Sequence, residues 1–209
     1  MPAKTTRLSP RKEPVQARSR LTVKAILEAT AQVLVASGYQ STTTDAVAKR
    51  AGVSIGTLYQ YFPNKESLVA ALIRDHVELI LSTVGAALEV HADAPMEIAL
   101  RAIIHAGVEA HRIDPALHKV LFEQVPRDKL LGKALDASSK LQGMIEEFLR
   151  RRAPGLSASR ARMIALVLET SVEALTHRAV VEAPDWLRSG EIEKETVKLL
   201  QPYLSAALG

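Results

Sequence analysis

The 209-residue chain contains no cysteine. That absence excludes disulfide staples, thiolate nucleophiles, cysteine-based zinc sites and thiolate-held iron–sulfur clusters. Aromatic residues make up only 4% of the chain, and glycine and proline number ten each. Long apolar runs are missing too. The two longest, Leu68 to Ile73 and Met163 to Leu168, have six residues each, whereas a membrane-spanning helix needs about 20. The first ten residues are polar and basic, without the apolar stretch of a signal peptide. The expectation is a cytoplasmic protein with no membrane partner. No P-loop, Gly-x-Gly-x-x-Gly or His-Glu-x-x-His pattern occurs, so nothing argues for an enzyme and no catalytic residue is assigned.

What is abundant is helix former. Alanine (31) and leucine (27) dominate the composition. Net charge is only +4, but it is unevenly spread. Residues 1–66 hold ten basic and four acidic side chains, while the remainder holds 17 basic and 19 acidic. A basic N-terminal third on a near-neutral body is the electrostatic footprint of a nucleic-acid binder. Residues 1–17 read as a disordered basic arm.

Proline and glycine cut the rest into helix-length pieces. A first helix runs from about Arg18 to Ser37 with Val23, Ile26, Leu27, Ala31 and Leu34 at helical spacing, and Gly38 stops it. Two short helices and a longer one follow, to about Val90. Later breaks fall at His91 to Pro95, Asp114-Pro115, Pro126, Pro154-Gly155, Pro184 and Ser189-Gly190. Asp93, Asp114, Ser157 and Asp185 suit N-caps. No stretch alternates with period two, so the fold class is all-α with about nine helices. From Ala161 to Val181 apolar residues occupy nearly every face, and a second stripe marks about Glu191 to Leu208. A helix apolar all round must be covered all round. These two segments therefore suggest a symmetric homodimer; packing inside a single bundle is the alternative.

Residues 41–62 carry the functional signal. A helix-turn-helix needs a short helix, a tight turn and a second helix held across the first. Gly52 stands where the turn needs positive φ, Ala48 is small enough for a close helix crossing, and Ser54 can cap the second helix. Val47, Ala51, Val53, Leu58 and Tyr61 fall where the two helices must share a core. Together with Gly38-Tyr39, Thr42-Thr43, Gly56-Thr57-Leu58-Tyr59, Tyr61-Phe62 and Lys65-Glu66, this pattern closely resembles the signature of TetR (tetracycline-repressor) family transcription regulators. The match covers about residues 18–75.

The helix from about Ser54 to Phe62 would be the recognition helix, its N-terminal half in the major groove. Ser54, Ile55, Thr57, Tyr59 and Gln60 are its exposed candidates, and Gly56 would let backbone approach DNA. Gln60 is the amide able to make a bidentate contact to adenine. Thr43 could offer hydroxyl and N–H to a phosphate at a helix start. Lys65 opens the next helix after the Asn64 cap, a place suited to phosphate. The resemblance also implies that the Tyr59, Tyr61 and Lys65 positions lie at the DNA. It implies a homodimer on a palindromic operator of double-stranded DNA. A small-molecule effector would release it, entering a cavity in a domain spanning residues 76–209. The alternatives are an activator with the same fold, or a non-specific, architectural DNA binder.

His118, Leu121, Phe122, Met144, Phe148 and His177 are candidate effector contacts, with ordinary core packing as the competing reading. His105, His111 and His118 are spaced six and seven apart, which does not build the i, i+4 face of a helical zinc site. No metal and no cofactor is expected. Arg150-Arg151-Arg152 reads as a helix C-terminus complementing the dipole.

Overall fold

The computed structural model describes residues 17–208, and among these it contains ten helices and no strand. In chain order they are α1 (Ala17–Ser41), α2 (Thr44–Ala51), α3 (Ile55–Tyr61), α4 (Lys65–Val90), α5 (Met96–Arg112), α6 (Pro115–Gln124), α7 (Arg127–Arg152), α8 (Ala158–Glu182), α9 (Pro184–Ser189) and α10 (Glu191–Leu208). The all-α class matches expectation. The tenth helix is α9, whose six residues are too few for periodicity to show. The expected basic arm lies outside the described residues apart from Ala17.

Glycine and proline act mostly where expected. Gly38 (φ 76°, ψ 168°) breaks α1, in a region of backbone space that is essentially glycine-only. The first helical run thus ends at Ser37 as expected, and beyond Gly38 one further helical turn reaches Ser41. Ser157 caps α8 by accepting from the Arg160 N–H. Two expected caps are corrected. Pro95, not Asp93, precedes α5, and Asp185 lies inside α9, which starts on Pro184 because a fixed φ suits a first turn. The Arg150–Arg152 run closes α7.

The chain divides into two compact units, residues 17–76 with 116–131, and residues 77–115 with 132–208. Residues 116–131, expected with the larger domain, therefore join the first unit. The tie is visible in α6, where Gln124 Oε1 accepts from the Tyr39 N–H at 3.0 Å and His118 Nδ1 sits 2.9 Å from His76 Nε2.

In the first unit, Ile26 and Ala29 of α1, Val47 and Ala48 of α2, Leu58 of α3, Phe62, and Leu68 and Ala71 of α4 form one core. Val53, Ala51 and Tyr61 pack at its edge. Burying each large side chain contributes about 1.5–3 kcal/mol. Part of α1, Ser19–Ser41, is also long and apolar enough to cross a membrane by length and composition. Its Ile26 and Ala29 are committed to this core instead. In the second unit, α5 packs on α8 and α10, and α9 packs on α8 and α10. Leu100, Ile104, Phe148, Ile164, Leu187 and Leu200 anchor that core.

Candidate nucleic-acid interface

The turn between α2 and α3 is built as its residues dictate. Thr43 caps α2, its hydroxyl accepting from the Ala46 N–H at 3.2 Å. Gly52 ends α2 in the left-handed region (φ 67°, ψ 27°) and its N–H reaches the Ala48 and Lys49 carbonyls. Ser54 caps α3 by accepting from the Thr57 N–H at 3.0 Å. Each cap contributes about 1 kcal/mol. Leu58 and Phe62, both essentially inaccessible, pin α3 to the core. The run Gly52-Val53-Ser54-Ile55-Gly56 also fits the letters of a hydrolase nucleophile elbow. That elbow joins a strand to a helix, whereas this run joins two helices.

One face of α3 is left over. Ser54, Ile55, Gly56, Tyr59 and Gln60 are exposed there, and Thr43 is exposed at the start of α2. Thr57 is half-buried, with its hydroxyl 2.8 Å from Ser54 Oγ, so both hydroxyls serve the helix start. The Tyr59 hydroxyl lies 3.0 Å from Thr44 Oγ1. Tyr61 packs against the core and is only half-exposed. Gly56 has nothing internal to explain it. Its φ is not positive, and an added Cβ would meet only Ser54 Oγ, at an ordinary 3.8 Å. Glycine within a helix costs about 0.5–1 kcal/mol relative to alanine, and no contact inside the fold requires it at this position.

Lys65 opens α4 as expected and reaches back to α1. Its ammonium donates to the Tyr39 carbonyl at 2.8 Å and the Gln40 carbonyl at 3.3 Å, and lies 4.5 Å from the Tyr39 ring centre. It is tied to the end of α1, where the last carbonyls of the helix favour a cation, rather than projecting from α4. Asn64 does cap as expected, Oδ1 accepting from the Ser67 N–H at 2.8 Å. Thr44, which aligns Tyr59, and Gln124, which holds Tyr39, are functional neighbours that sequence reasoning misses. Neither sits at a spacing that marks it.

The second unit holds a cavity of about 50 Å³. Its wall is apolar, with Val84 from α4, Leu100 and Ile104 from α5, Ile145 from α7 and Leu168 and Val172 from α8, and its polar edge is His111, Glu169 and Glu173. None of the six expected effector contacts lines it. His118, Leu121 and Phe122 belong to the first unit, His118 and Leu121 buried and Phe122 half-exposed. Phe148 is core, and Met144 packs at the core's margin, its methyl 2.8 Å from where a Cβ on Gly85 would stand. His177 lies just behind the cavity's edge, 3.6 Å from Glu173.

The polar edge is electrostatically coupled. Burial lowers the pKa of both His111 and His177. For His111 the Glu173 hydrogen bond and charge, with the Gly107 carbonyl, outweigh it and raise the pKa above the ordinary value. For His177 burial wins over the pull of Glu173, and His111 pushes the same way, so the pKa falls. Glu169 accepts from Gln142 Nε2 at 2.9 Å.

Comparison with known proteins bears on both units. Residues 26–72 match the family described as bacterial regulatory proteins, tetR family, and residues 95–204 match the tetracyclin repressor-like C-terminal domain. The HTH-type transcriptional activator FasR of Mycolicibacterium smegmatis is 32% identical over 145 residues, covering 68% of this chain and 65% of the relative. The chain thus spans a little under two thirds of that relative's length. A TetR-family regulator structure from Mesorhizobium loti superposes with a TM-score of 0.74 at 17% identity, covering 91% of this chain and 98% of the other. The SmeT–triclosan complex superposes with a TM-score of 0.69 at 20% identity, covering 87% and 90%.

Proposed function

The chain belongs to the TetR family of bacterial regulatory proteins, and from that premise we propose that it is a cytoplasmic, homodimeric, sequence-specific DNA-binding regulator of transcription. It occupies a palindromic operator and represses until a small molecule releases it. The observation that carries this reading is the exposed face of α3, with Ile55, Gly56, Tyr59 and Gln60 open on a capped, core-pinned helix. Gln60 reads a base edge, Ile55 meets a thymine methyl, and Gly56 lets the helix come close. Ser54, Thr43 and Tyr59 position the helix on the backbone, and Lys65 acts by holding the end of α1.

Dimerisation is supported by what the second unit leaves uncovered. Met163 and Leu166 of α8 and Leu199 of α10 are 51%, 42% and 58% exposed. A second copy of the chain covers these residues in the proposed dimer. The effector enters the cavity at the α5–α8 seam. Its 50 Å³ holds only a few waters, against about 300–1,000 Å³ for a drug-sized ligand. Ligand binding therefore requires the helices to part, and differential affinity for the parted state, of about 1–3 kcal/mol, supplies release. The structurally similar SmeT forms a complex with triclosan, which supports a small-molecule effector here. The apolar wall of the cavity favours an apolar one.

Because the M. smegmatis relative is named an activator, activation is the second reading. Selection of bound sequences from a random duplex library at physiological salt tests the core of the proposal. A palindrome is the expected product. Binding at low salt with no enrichment would instead indicate a non-specific, architectural binder. A reporter driven from the recovered site then separates repression from activation.

A further inference from the structure

Glu173 and His177 stand one turn apart on α8, and both meet His111 from the last turn of α5. The carboxylate faces two rings at once. Oε2 is 3.5 Å from His111 Nε2, and Oε1 is 3.6 Å from His177 Nδ1. One donor atom from each of the three residues lies within 4.8 Å of both others. His111 is only 2% exposed, and its Nδ1 sits 2.7 Å from the Gly107 carbonyl oxygen. A carbonyl can only accept, so the ring proton is on Nδ1. In the neutral ring the Nε2 lone pair then faces Glu173. Anchoring one imidazole nitrogen on a carbonyl so that the other is presented is the outer-shell arrangement of metal-ligating histidines.

We propose that His111, Glu173 and His177 form a binding site for a divalent transition-metal ion, with Zn²⁺ the best-matched probe. Two imidazoles and one carboxylate suit such an ion, whereas Ca²⁺ and Mg²⁺ favour shells of oxygen donors. A tetrahedral shell with bonds of about 2.0–2.1 Å sets donors about 3.3 Å apart. Each imidazole is already near that distance from one oxygen of the carboxylate, 3.5 Å to Oε2 and 3.6 Å to Oε1, and a modest contraction from the 4.8 Å envelope brings one donor of each residue onto a shared ion. Three protein ligands leave a coordination position open. His111 and Glu173 both line the apolar cavity, whose 50 Å³ has room for water or for the donor atom of a small ligand. The ion also joins α5 to α8 across the cavity's edge. The expected absence of metal rests on the spacing of His105, His111 and His118; the fold instead pairs His111 with a Glu-x-x-x-His turn on another helix. All three ligands belong to the second unit, so the site stands or falls independently of the DNA-binding reading.

The test is equilibrium dialysis of the chelator-stripped full chain against Zn²⁺. One tightly held ion per chain is expected, with affinity falling more than about 100-fold in Glu173→Gln and in His177→Gln. That exceeds the 10–100-fold typical of losing an outer-shell partner. Glu193→Gln, in the more exposed cluster of His105, Glu109 and Glu193, leaves this binding unchanged. Co²⁺ added to the unmodified chain provides a reading that needs no variant to fold. Intense visible bands of a four- or five-coordinate ion support the site. The faint spectrum of the six-coordinate aquo ion, undiminished Zn²⁺ binding in the Glu173 and His177 variants, or its loss in Glu193→Gln would each overturn it.

Discussion

The two units of this chain use their amino acids in opposite ways. In the first, the short helices α2 and α3 are fixed by caps, a left-handed glycine and an apolar core, and the residues proposed to meet DNA are what the fold leaves over. Ile55, Gly56 and Gln60 stand exposed on α3, and the missing side chain of Gly56 answers no internal need. In the second, long helices supply both the core and the cavity, and the polar groups of interest face inward and answer one another. His111, Glu173 and His177 lie together as one cluster. A head that presents side chains can be rigid. A sensor that must admit a ligand is expected to hold a small space that can widen.

The largest effects should fall on the two cores, and they separate core from site. Phe62→Ala and Phe148→Ala are each expected to cost about 3–5 kcal/mol in denaturant unfolding, since both rings are 1–2% exposed. A Phe148→Ala protein of unchanged stability with altered effector binding would place Phe148 at a ligand site rather than in the core. Next comes the α1 break. Gly38→Ala should cost about 1–3 kcal/mol in backbone strain. An added Cβ would also lie 2.6 Å from the Gln124 side-chain oxygen that holds Tyr39. If the cost vanished in a Gly38→Ala, Gln124→Ala double variant, contact rather than backbone strain would be its source. Smallest, and of opposite sign, is Gly56→Ala. Thermal unfolding should show the first unit stabilised by about 0.5–1 kcal/mol while operator affinity falls. Loss of stability there would mean that the glycine serves the fold.

Legibility in the sequence follows the same division. The helix-turn-helix can be read because each part demands a particular residue at a fixed offset: a hydroxyl at Ser54, positive φ at Gly52, smallness at Ala48. Helix ends are readable where proline or glycine forces them, and misleading at Asp93 and Asp185, where a plausible cap lies three residues before and one residue after the true start. The cavity is not readable, because its wall depends on which turns of α4, α5, α7 and α8 face one another. Choosing large or polar residues such as Phe148, Met144 and His118 selects side chains that the packing uses elsewhere. Lys65 falls on the expected helix, but its reach back to the Tyr39 carbonyl is a tertiary contact without a local signal. His177 stands out in the sequence without its partners, though Glu173 one turn earlier is the available clue.

An affinity profile shows whether α3 reads the bases. The unmodified chain and Gln60→Ala would each be titrated with the selected operator and with every single base-pair change in a half-site, at fixed physiological salt. If α3 reads the bases, Gln60→Ala loses about 1–3 kcal/mol of discrimination at one symmetry-related position and keeps the rest of the profile. Uniform weakening at all positions, or an unaltered profile, would contradict α3 as the reading helix.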